Sequence, residues 1–369
     1  MERKQLQFSA DETVLMTEKL IDALVNIRDE NGAFLMTLAD GRVVDTKGWG
    51  GWEWTHGVGL YGLWQYWQQT RDPRWLAIIE QWFTDRFREG TPTKNVNTMA
   101  PMLTLASVYE ENGYTPWKRY IECWANWVMY EMPRTELGGL QHMTFNYAHH
   151  QQLWDDTLMM SVMPLAKAGQ VLNRPEWVEE AKRQFLLHSQ YLCDAPTGLW
   201  YHGWNFAGRH HYAKALWGRG NSWVTVAIPD FIEMLDLPQG DPIREFLLGQ
   251  LSRQVAALAE RQDKESGLWH TLLDDPTSYL ESSASAGFAY GILKAVRKRY
   301  IDKRFLATGV AAAEGVMRQI TPQGELENVS FGTGMGKDLD YYRNIERTSM
   351  PYGQAMAMLA LIEYQNLFI

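Results

Sequence analysis

Long apolar runs, paired cysteines and an excess of basic residues are all missing from this chain. No apolar run reaches the ~18 residues that a membrane-spanning helix needs. The only cysteines, Cys123 and Cys193, lie in helix-like patterns, which argues against a disulfide framework. The formal net charge of −9 disfavours binding to a nucleic-acid backbone, and the first residues lack the apolar core of a secretory signal. We therefore expect a cytoplasmic protein that binds neither membrane nor nucleic acid.

Motifs of several common chemistries are also missing. The adjacent pairs His149–His150 and His210–His211 lack His-x-x-x-His spacing, and the sequence has no Cys-x-x-Cys, so no metal site is recognisable. There is no Gly-x-Ser-x-Gly, the motif that presents a nucleophilic serine in many hydrolases. The glycine-rich residues 332–336 lack the Lys-Ser/Thr of a phosphate-binding loop. We therefore expect no metal and no cofactor.

What the chain does contain is a weak internal repeat of helices. Six charge-poor helical segments begin near Thr55, Asn97, Asp156, Asn221, Ser282 and Ser349. Six amphipathic and well-charged segments lie between them, at about residues 11–28, 73–88, 116–130, 175–193, 241–262 and 302–318. The alternation predicts two concentric rings, an all-α (α/α)6 barrel, since inner helices contact neighbours on all sides. A helical solenoid is the alternative, but its helices would be more alike in polarity.

The loops before the charge-poor helices are where we expect function. No linker rich in proline, glycine or serine interrupts the chain, so residues 1–369 are expected to form one domain. Short strand-like pieces near 198–202 and 267–272 indicate hairpin-like loops. The N-termini of the inner helices of a barrel gather at one end, and many of the 17 tryptophans precede them. An indole has a flat apolar face and one polar N–H, a combination that suits a sugar ring.

Two adjacent acids, Asp155 and Asp156, stand where an inner helix is expected to begin. They follow an aromatic and histidine-rich stretch that contains Tyr147, His149 and Trp154. Because Asp and Thr are good N-caps, helix capping alone is the alternative interpretation. An ionised Asp155 would raise the pKa of Asp156, whereas the helix N-terminus would lower it, and the sequence leaves that balance open.

Several motifs together resemble a known family. They are Gly138-Gly139-x-x-His142, Trp154-x-Asp156-x-Leu158-x-Met160, Gly198-Leu-Trp-Tyr-His202-Gly-Trp204, Trp217-x-Arg219-x-x-x-Trp223, Gly267-Leu-Trp269, Leu280-Glu281-Ser282-Ser283 and Gly332-Thr-Gly. In this order they resemble the unsaturated glucuronyl and rhamnogalacturonyl hydrolases, most closely glycoside hydrolase family 105, which is related to family 88. The resemblance covers roughly residues 10–365 and implies an (α/α)6 barrel.

The resemblance also implies a reaction and a set of site residues. Members of the family hydrate the C4=C5 double bond of an unsaturated uronic acid at the non-reducing end of an oligosaccharide and release the adjacent sugar, such as rhamnose. Asp156 matches the general acid/base of the family. The implied substrate-binding residues are Trp54, Asn97, His142, His202, Trp217, Arg219 and Trp223. Asn97 stands where relatives often have a second Asp, and Arg219 is the expected partner of the uronate carboxylate.

Other functions remain open at this point. A two-carboxylate glycosidase on the same barrel would need a second positioned acid, for which Glu53 and Glu281 are the nearest candidates. A polysaccharide lyase or a sugar epimerase is a further alternative, and an epimerase is expected to use paired histidines. A non-catalytic sugar-binding protein would keep the tryptophans but tolerate the loss of Asp156.

Overall fold

The computed structural model describes residues 6–369, and most of them are helical. The helices are α1 (Ala10–Asn26), α2 (Trp54–Thr70), α3 (Pro73–Glu89), α4 (Pro101–Asn112), α5 (Thr115–Asn126), α6 (Met163–Val171), α7 (Pro175–Leu192), α8 (Gly218–Met234), α9 (Pro242–Arg261), α10 (Ser282–Arg297), α11 (Leu306–Met317), α12 (Leu339–Arg343) and α13 (Pro351–Gln365). Among the described residues, no helix is both long and apolar enough to cross a bilayer.

Twelve of these helices form two rings. The inner ring runs through α2, α4, α6, α8, α10 and α13, and α13 packs back against α2 to close it. The outer helices α1, α3, α5, α7, α9 and α11 each pack against an inner helix that is next to them in the sequence or, for α1, against α13. The predicted (α/α)6 barrel is therefore confirmed.

Local sequence explains why the two rings differ. Outer helices α3 and α9 begin with Pro73 and Pro242, each after an aspartate whose side chain accepts a backbone N–H of the first turn. Proline suits the first turn because its missing N–H would have no helical partner there. The inner helix α13, by contrast, is buried along its whole length. Such a helix has no solvent face, which is why its sequence shows no amphipathic period.

Three two-stranded sheets complete the fold. β1 (Leu35–Thr37) pairs with β2 (Val43–Asp45), β3 (Gln152–Trp154) with β4 (Gly203–Asn205), and β5 (Trp269–His270) with β6 (Leu280–Glu281), all antiparallel. The strand-like pieces expected from the sequence lie next to β4 and at β5, whereas the β1–β2 hairpin was not predicted. β3 ends directly before Asp155 and β6 ends directly before α10, so these sheets fix where two inner helices begin.

The inner helix that begins after Asp156 opens with a wide turn. Residues Leu158–Val162 form a π-helical turn, and Met163 donates its N–H to the carbonyl of Leu158 before α6 continues. The side-chain capping considered for Asp156 and Thr157 is wrong, because no side-chain cap is present there. The hydroxyl of Thr157 instead hydrogen-bonds Nδ1 of His142 at 2.8 Å. The Asp156 carboxyl, which is not used for capping either, can contact other groups.

A buried charge cluster lies toward the opposite ends of the inner helices. Lys294 of α10 places Nζ 2.5 Å from Asp230 of α8 and 2.6 Å from Glu233. Asp230 also accepts hydrogen bonds from the hydroxyls of Tyr61 and Tyr290, at 2.6 and 2.8 Å. The Lys294–Asp230 ion pair thus joins α10 and α8 through two side chains that water barely reaches, whereas Glu233 is exposed.

Candidate active site

A cavity of about 740 Å³ opens at the end of the barrel where the inner helices begin. Most of its walls come from four parts of the chain: the β1–β2 hairpin, the head of α2, the segment around β3, and the loop after residue 330. Asn97, Arg219 and Met350 add to the lining from the heads of α4, α8 and α13. The lining side chains include Phe34, Leu35, Met36, Glu53, Trp54, Asn97, His142, Thr144, Tyr147, His149, Trp154, Asp156, Met160, Arg219, Phe331 and Thr333. The predicted residues Trp54, Asn97, His142, Asp156 and Arg219 are therefore brought together around one space.

Asp156 is held at the floor of this cavity by an aromatic stack. The ring of His142 stacks on Trp154 with 4.0 Å between centroids and 9° between planes. His202 meets the same indole edge-on at 5.1 Å. These rings exclude water from two sides of the Asp156 carboxyl, whose side chain keeps 16% of its surface exposed. A partly exposed acid with apolar neighbours can reach a substrate without being fully solvated.

Asp155, Asp156 and His202 form one contact group. Nε2 of His202 lies 3.3 Å from Oδ2 of Asp156, and the reactive atoms of all three side chains lie within 4.8 Å of one another. The backbone N–H of Asp155 donates to the carbonyl of His202 at 3.0 Å, which joins the end of β3 to the residue before β4. A Cβ at Gly220 would stand 2.2 Å from Oδ2 of Asp155, so only glycine leaves room for that carboxyl against α8.

The pKa values of Asp155 and Asp156 are shifted in opposite directions. Asp155 is completely buried, and this burial together with the charge of Asp156 raises its pKa well above the usual range. Burial also acts to raise the pKa of Asp156, but the hydrogen bond and charge of His202 outweigh it and lower that pKa. The two pKa shifts have opposite directions, so a proton shared by the pair is favoured on Asp155 over Asp156. The pKa of Asp156 is therefore lowered, but the main cause is His202 and not the helix N-terminus that the sequence suggested.

Arg219 supplies a buried positive charge at the cavity wall. Nη1 donates to the carbonyl of Ser330 at 2.7 Å and to the hydroxyl of Tyr352 at 2.8 Å. Nη2 donates to the hydroxyl of Thr333 at 2.7 Å. Nε has no partner, and within residues 6–369 no carboxylate lies within ion-pair distance of the guanidinium. The charge is thus held by neutral oxygens, and its counterion has to come from elsewhere.

Three predicted binding residues lie behind the cavity wall rather than in it. His202, Trp217 and Trp223 are at most 1% exposed and do not line the space. Trp217 packs against the guanidinium of Arg219 at 4.5 Å, and Trp223 meets the ring of Trp54 edge-on at 6.0 Å. Their contact with a substrate stays a prediction. In the structure they support the side chains that do face the cavity.

Glu53 and Glu281, the alternative carboxylates, are both occupied at helix ends. Glu53 lines the cavity, accepts the backbone N–H of Trp54 at 2.9 Å and hydrogen-bonds the side chain of Asn97. Burial raises the pKa of Glu53 to about 7. Glu281 caps α10 through the N–H of Ala284 and also accepts the N–H of Ser330. Asp156 is therefore the cavity acid that is free of capping.

Sequence reasoning missed the outer wall of the site. The hairpin residues Phe34, Leu35 and Met36 line the cavity, and Phe34 meets Phe331 edge-on at 5.4 Å across it. Asn146 fastens this hairpin to the segment before β3, since its amide donates to the carbonyl of Thr37 at 3.1 Å. The two strands, Leu35–Thr37 and Val43–Asp45, are three residues long and show no polar–apolar alternation, so no strand signal is present in the sequence there.

The closeness of Asp155, Asp156 and His202 also raises the question of a metal ion. By distance alone the three side chains could each offer one ligand. Nδ1 of His202 is already hydrogen-bonded, however, because it lies 2.7 Å from the hydroxyl of Tyr342, and Nε2 faces Asp156 at 3.3 Å. The proton held by Asp155 makes that carboxyl a poor ligand as well. The arrangement suits proton transfer better than metal binding.

Comparison with known proteins agrees with this geometry. The sequence model described as Glycosyl Hydrolase Family 88 matches residues 26–368. The unsaturated rhamnogalacturonyl hydrolase YesR of Bacillus subtilis is 30% identical over 85% of this chain and 89% of its own length. A crystal structure from Salmonella enterica serovar Paratyphi A, described as a possible member of family GH105, is 59% identical with a TM-score of 0.98, over 100% of this chain and 97% of that one.

A second crystal structure, from Klebsiella pneumoniae, carries the same description. It is 60% identical with a TM-score of 0.97, over 100% of this chain and 96% of that one. Together with the cavity at the head of the inner helices, in which Asp156 is the acid free of capping, these matches confirm the resemblance drawn from the motifs. The chain is a glycoside hydrolase and belongs to glycosyl hydrolase family 88.

Proposed function

We propose that this hydrolase acts on oligosaccharides that carry a 4,5-unsaturated uronic acid at the non-reducing end, and that it releases the adjacent sugar. One observation carries the proposal: a single cap-free acid, Asp156, faces the cavity and is backed by Asp155, a buried acid whose pKa is raised by burial. A glycosidase that protonates the glycosidic oxygen commonly needs two separately placed carboxyls. One proton-exchanging carboxyl suffices to add water across a double bond. The likeness to YesR supports the same substrate class.

The proposed reaction uses Asp156 twice. The proton of the acid pair moves from Asp155 to Asp156 and from there to C4, which leaves positive charge at C5 and the ring oxygen. Water adds to C5, and Asp156 takes up the proton that this water gives off. The hemiketal at C5 then opens, so that C1 becomes a hemiacetal and expels the adjacent sugar. One water is consumed, and the acid pair regains its single proton.

The charge of Arg219 fits the uronate carboxylate in this scheme. A buried guanidinium without an acidic partner attracts an anion strongly, because desolvation strengthens the interaction between the two charges. Trp54 lies 5.6 Å from the same guanidinium and offers an aromatic surface to the sugar ring. We infer that Arg219, Trp54 and Asn97 bind the unsaturated uronate.

The direct test is incubation with an unsaturated uronyl disaccharide produced by a polysaccharide lyase. We expect the ultraviolet absorbance of the conjugated double bond to fall in step with release of the second sugar. The matched control is the saturated disaccharide of the same linkage, which should stay intact. Cleavage of the saturated compound, or sugar release without loss of absorbance, would contradict the proposed reaction.

Truncating Arg219 to Ala separates charge recognition from support of the loop. We expect KM for the free unsaturated uronide to rise by about 10- to 100-fold, the range of a lost charged hydrogen bond. The methyl ester of the same substrate should show a much smaller change, because it presents no anion. Thr333→Val is the control, since it removes one loop contact of Arg219 but leaves the charge. Equal losses on both substrates would leave Arg219 with a loop-holding role alone.

A further inference from the structure

Tyr342, which is distant in the sequence, contacts the group formed by Asp155, Asp156 and His202. Tyr342 lies on the short helix α12, is completely buried, and places its hydroxyl 2.7 Å from Nδ1 of His202. The hydroxyl also accepts the backbone N–H of Gly336 at 3.2 Å and lies 3.7 Å from the sulfur of Met335. These contacts determine where the hydroxyl proton points.

The hydroxyl proton of Tyr342 is directed at His202. The N–H of Gly336 has no lone pair, so the hydroxyl acts as acceptor toward it and keeps its own proton for another partner. An imidazole nitrogen at 2.7 Å is a far better acceptor than a thioether at 3.7 Å. Burial raises the pKa of Tyr342, so the hydroxyl keeps its proton across the working pH range.

Because Nδ1 of His202 accepts a hydrogen bond from the hydroxyl of Tyr342, the ring hydrogen of the neutral imidazole sits on Nε2. Nε2 is the nitrogen that faces Oδ2 of Asp156 at 3.3 Å. An N–H there stabilises the ionised carboxylate, and a ring with a bare Nε2 would instead stabilise the protonated acid. The titratable or charged groups that face Asp156 and His202 are Asp155 beside them, His142 from the segment before β3, Arg219 from α8 and Tyr342 from α12.

We propose that Tyr342 is a positioning residue, whose hydroxyl fixes His202 in the form that carries the ring hydrogen on Nε2. This form stabilises ionised Asp156, so the proton shared by the two acids stays on Asp155 until substrate is bound. The hydroxyl acts through His202 and does not line the cavity. The proposal rests on the proposed function for its kinetic consequence, whereas the state of the His202 ring is independent of any substrate.

The ring state is tested first, on the free protein. Nitrogen-15 NMR of histidine-labelled protein distinguishes a protonated ring nitrogen from a bare one, and the His202 signals are identified by their loss in His202→Gln. We expect Nε2 of His202 to be protonated in the wild type and a mixture of the two neutral forms in Tyr342→Phe. A bare Nε2 in the wild type, or an unchanged ring in Tyr342→Phe, would overturn the proposal whether or not the protein acts on unsaturated uronides.

The pH dependence of kcat/KM on the unsaturated disaccharide is the second readout. Without the Tyr342 hydroxyl, Nε2 of His202 no longer always carries the hydrogen that stabilises ionised Asp156, so the pKa of Asp156 should rise. The acidic side of the kcat/KM profile of Tyr342→Phe should therefore move to higher pH by about one unit. Tyr341→Phe is the matched control, because that hydroxyl accepts the N–H of Gly334 in the same loop without reaching His202. An acid limb that stays in place, moves to lower pH, or shifts equally in both variants would refute the role of Tyr342.

Discussion

Replacing Asp156 by Asn is expected to lower kcat by about 100- to 10,000-fold, the range that a positioned acid–base group contributes. The amide matches the carboxyl in size but neither donates the proton to C4 nor takes one from water. Nε2 of His202 can still donate to the amide oxygen, so the cavity should keep its shape. The measurement is loss of the double-bond absorbance at saturating substrate, with the thermal unfolding midpoint as a check on folding.

A solvent-isotope experiment tests the role of Asp156 through the hydrogen that the product carries at C4. In deuterated water the carboxyl protons of Asp155 and Asp156 exchange, so the wild-type product should carry deuterium at C4. Substrate binding by Asp156→Asn, followed by calorimetry, should stay close to that of the wild type. Near-normal turnover by the variant, or a C4 without solvent hydrogen, would remove Asp156 from the role of proton donor.

Of the substitutions discussed, Lys294→Met is expected to lower the free energy of unfolding the most. It removes the cation partner of Asp230 and leaves a carboxylate that is 3% exposed among apolar helices. Breaking a buried ion pair from one side costs about 3–5 kcal/mol, because the remaining charge stays desolvated without compensation. The free energy of unfolding should be measured in guanidinium chloride. Activity per folded molecule should hardly change, since the cluster does not line the active-site cavity.

Two further variants make the stability test specific. Lys298 pairs with the half-exposed Glu233, so Lys298→Met should cost less than about 1 kcal/mol. Adding Asp230→Asn to Lys294→Met removes the stranded charge and should restore part of the loss. If the double variant is less stable than Lys294→Met alone, the cost comes from packing and hydrogen bonds to Tyr61 and Tyr290 rather than from charge.

Much of the barrel could be predicted from the sequence because each ring has its own pattern. Outer helices begin at prolines such as Pro73 and Pro175, and their apolar positions repeat with the helical period. Inner helices lack charge because their neighbours enclose them. The hairpin β1–β2 could not be predicted in this way, since its strands are three residues long and it is fastened to Asn146, about 100 residues further along the chain.

The proposed acid could be placed in the cavity from the sequence, but the position of its proton could not. Asp156 was singled out by its place between an aromatic stretch and an apolar helix and by the resemblance to the family, and its catalytic role stays a prediction. Which of the two acids is protonated depends on contacts that the sequence does not reveal, above all with His202 and, through it, with Tyr342. Residues 332–347 have no period that would place Tyr342 in the interior, so its role emerges only from the folded chain.

The closure of the inner ring by α13 has a consequence for protein synthesis. This helix packs against α1, α2 and α10, Tyr352 on it binds Arg219, and Met350 just before it lines the cavity. A nascent chain still holding these residues inside the ribosome therefore has an open ring and lacks part of the proposed uronate site. Catalysis should switch on in a single late step, when α13 emerges and docks. A premature stop codon ahead of Pro351 should accordingly abolish activity outright rather than yield a weakened enzyme.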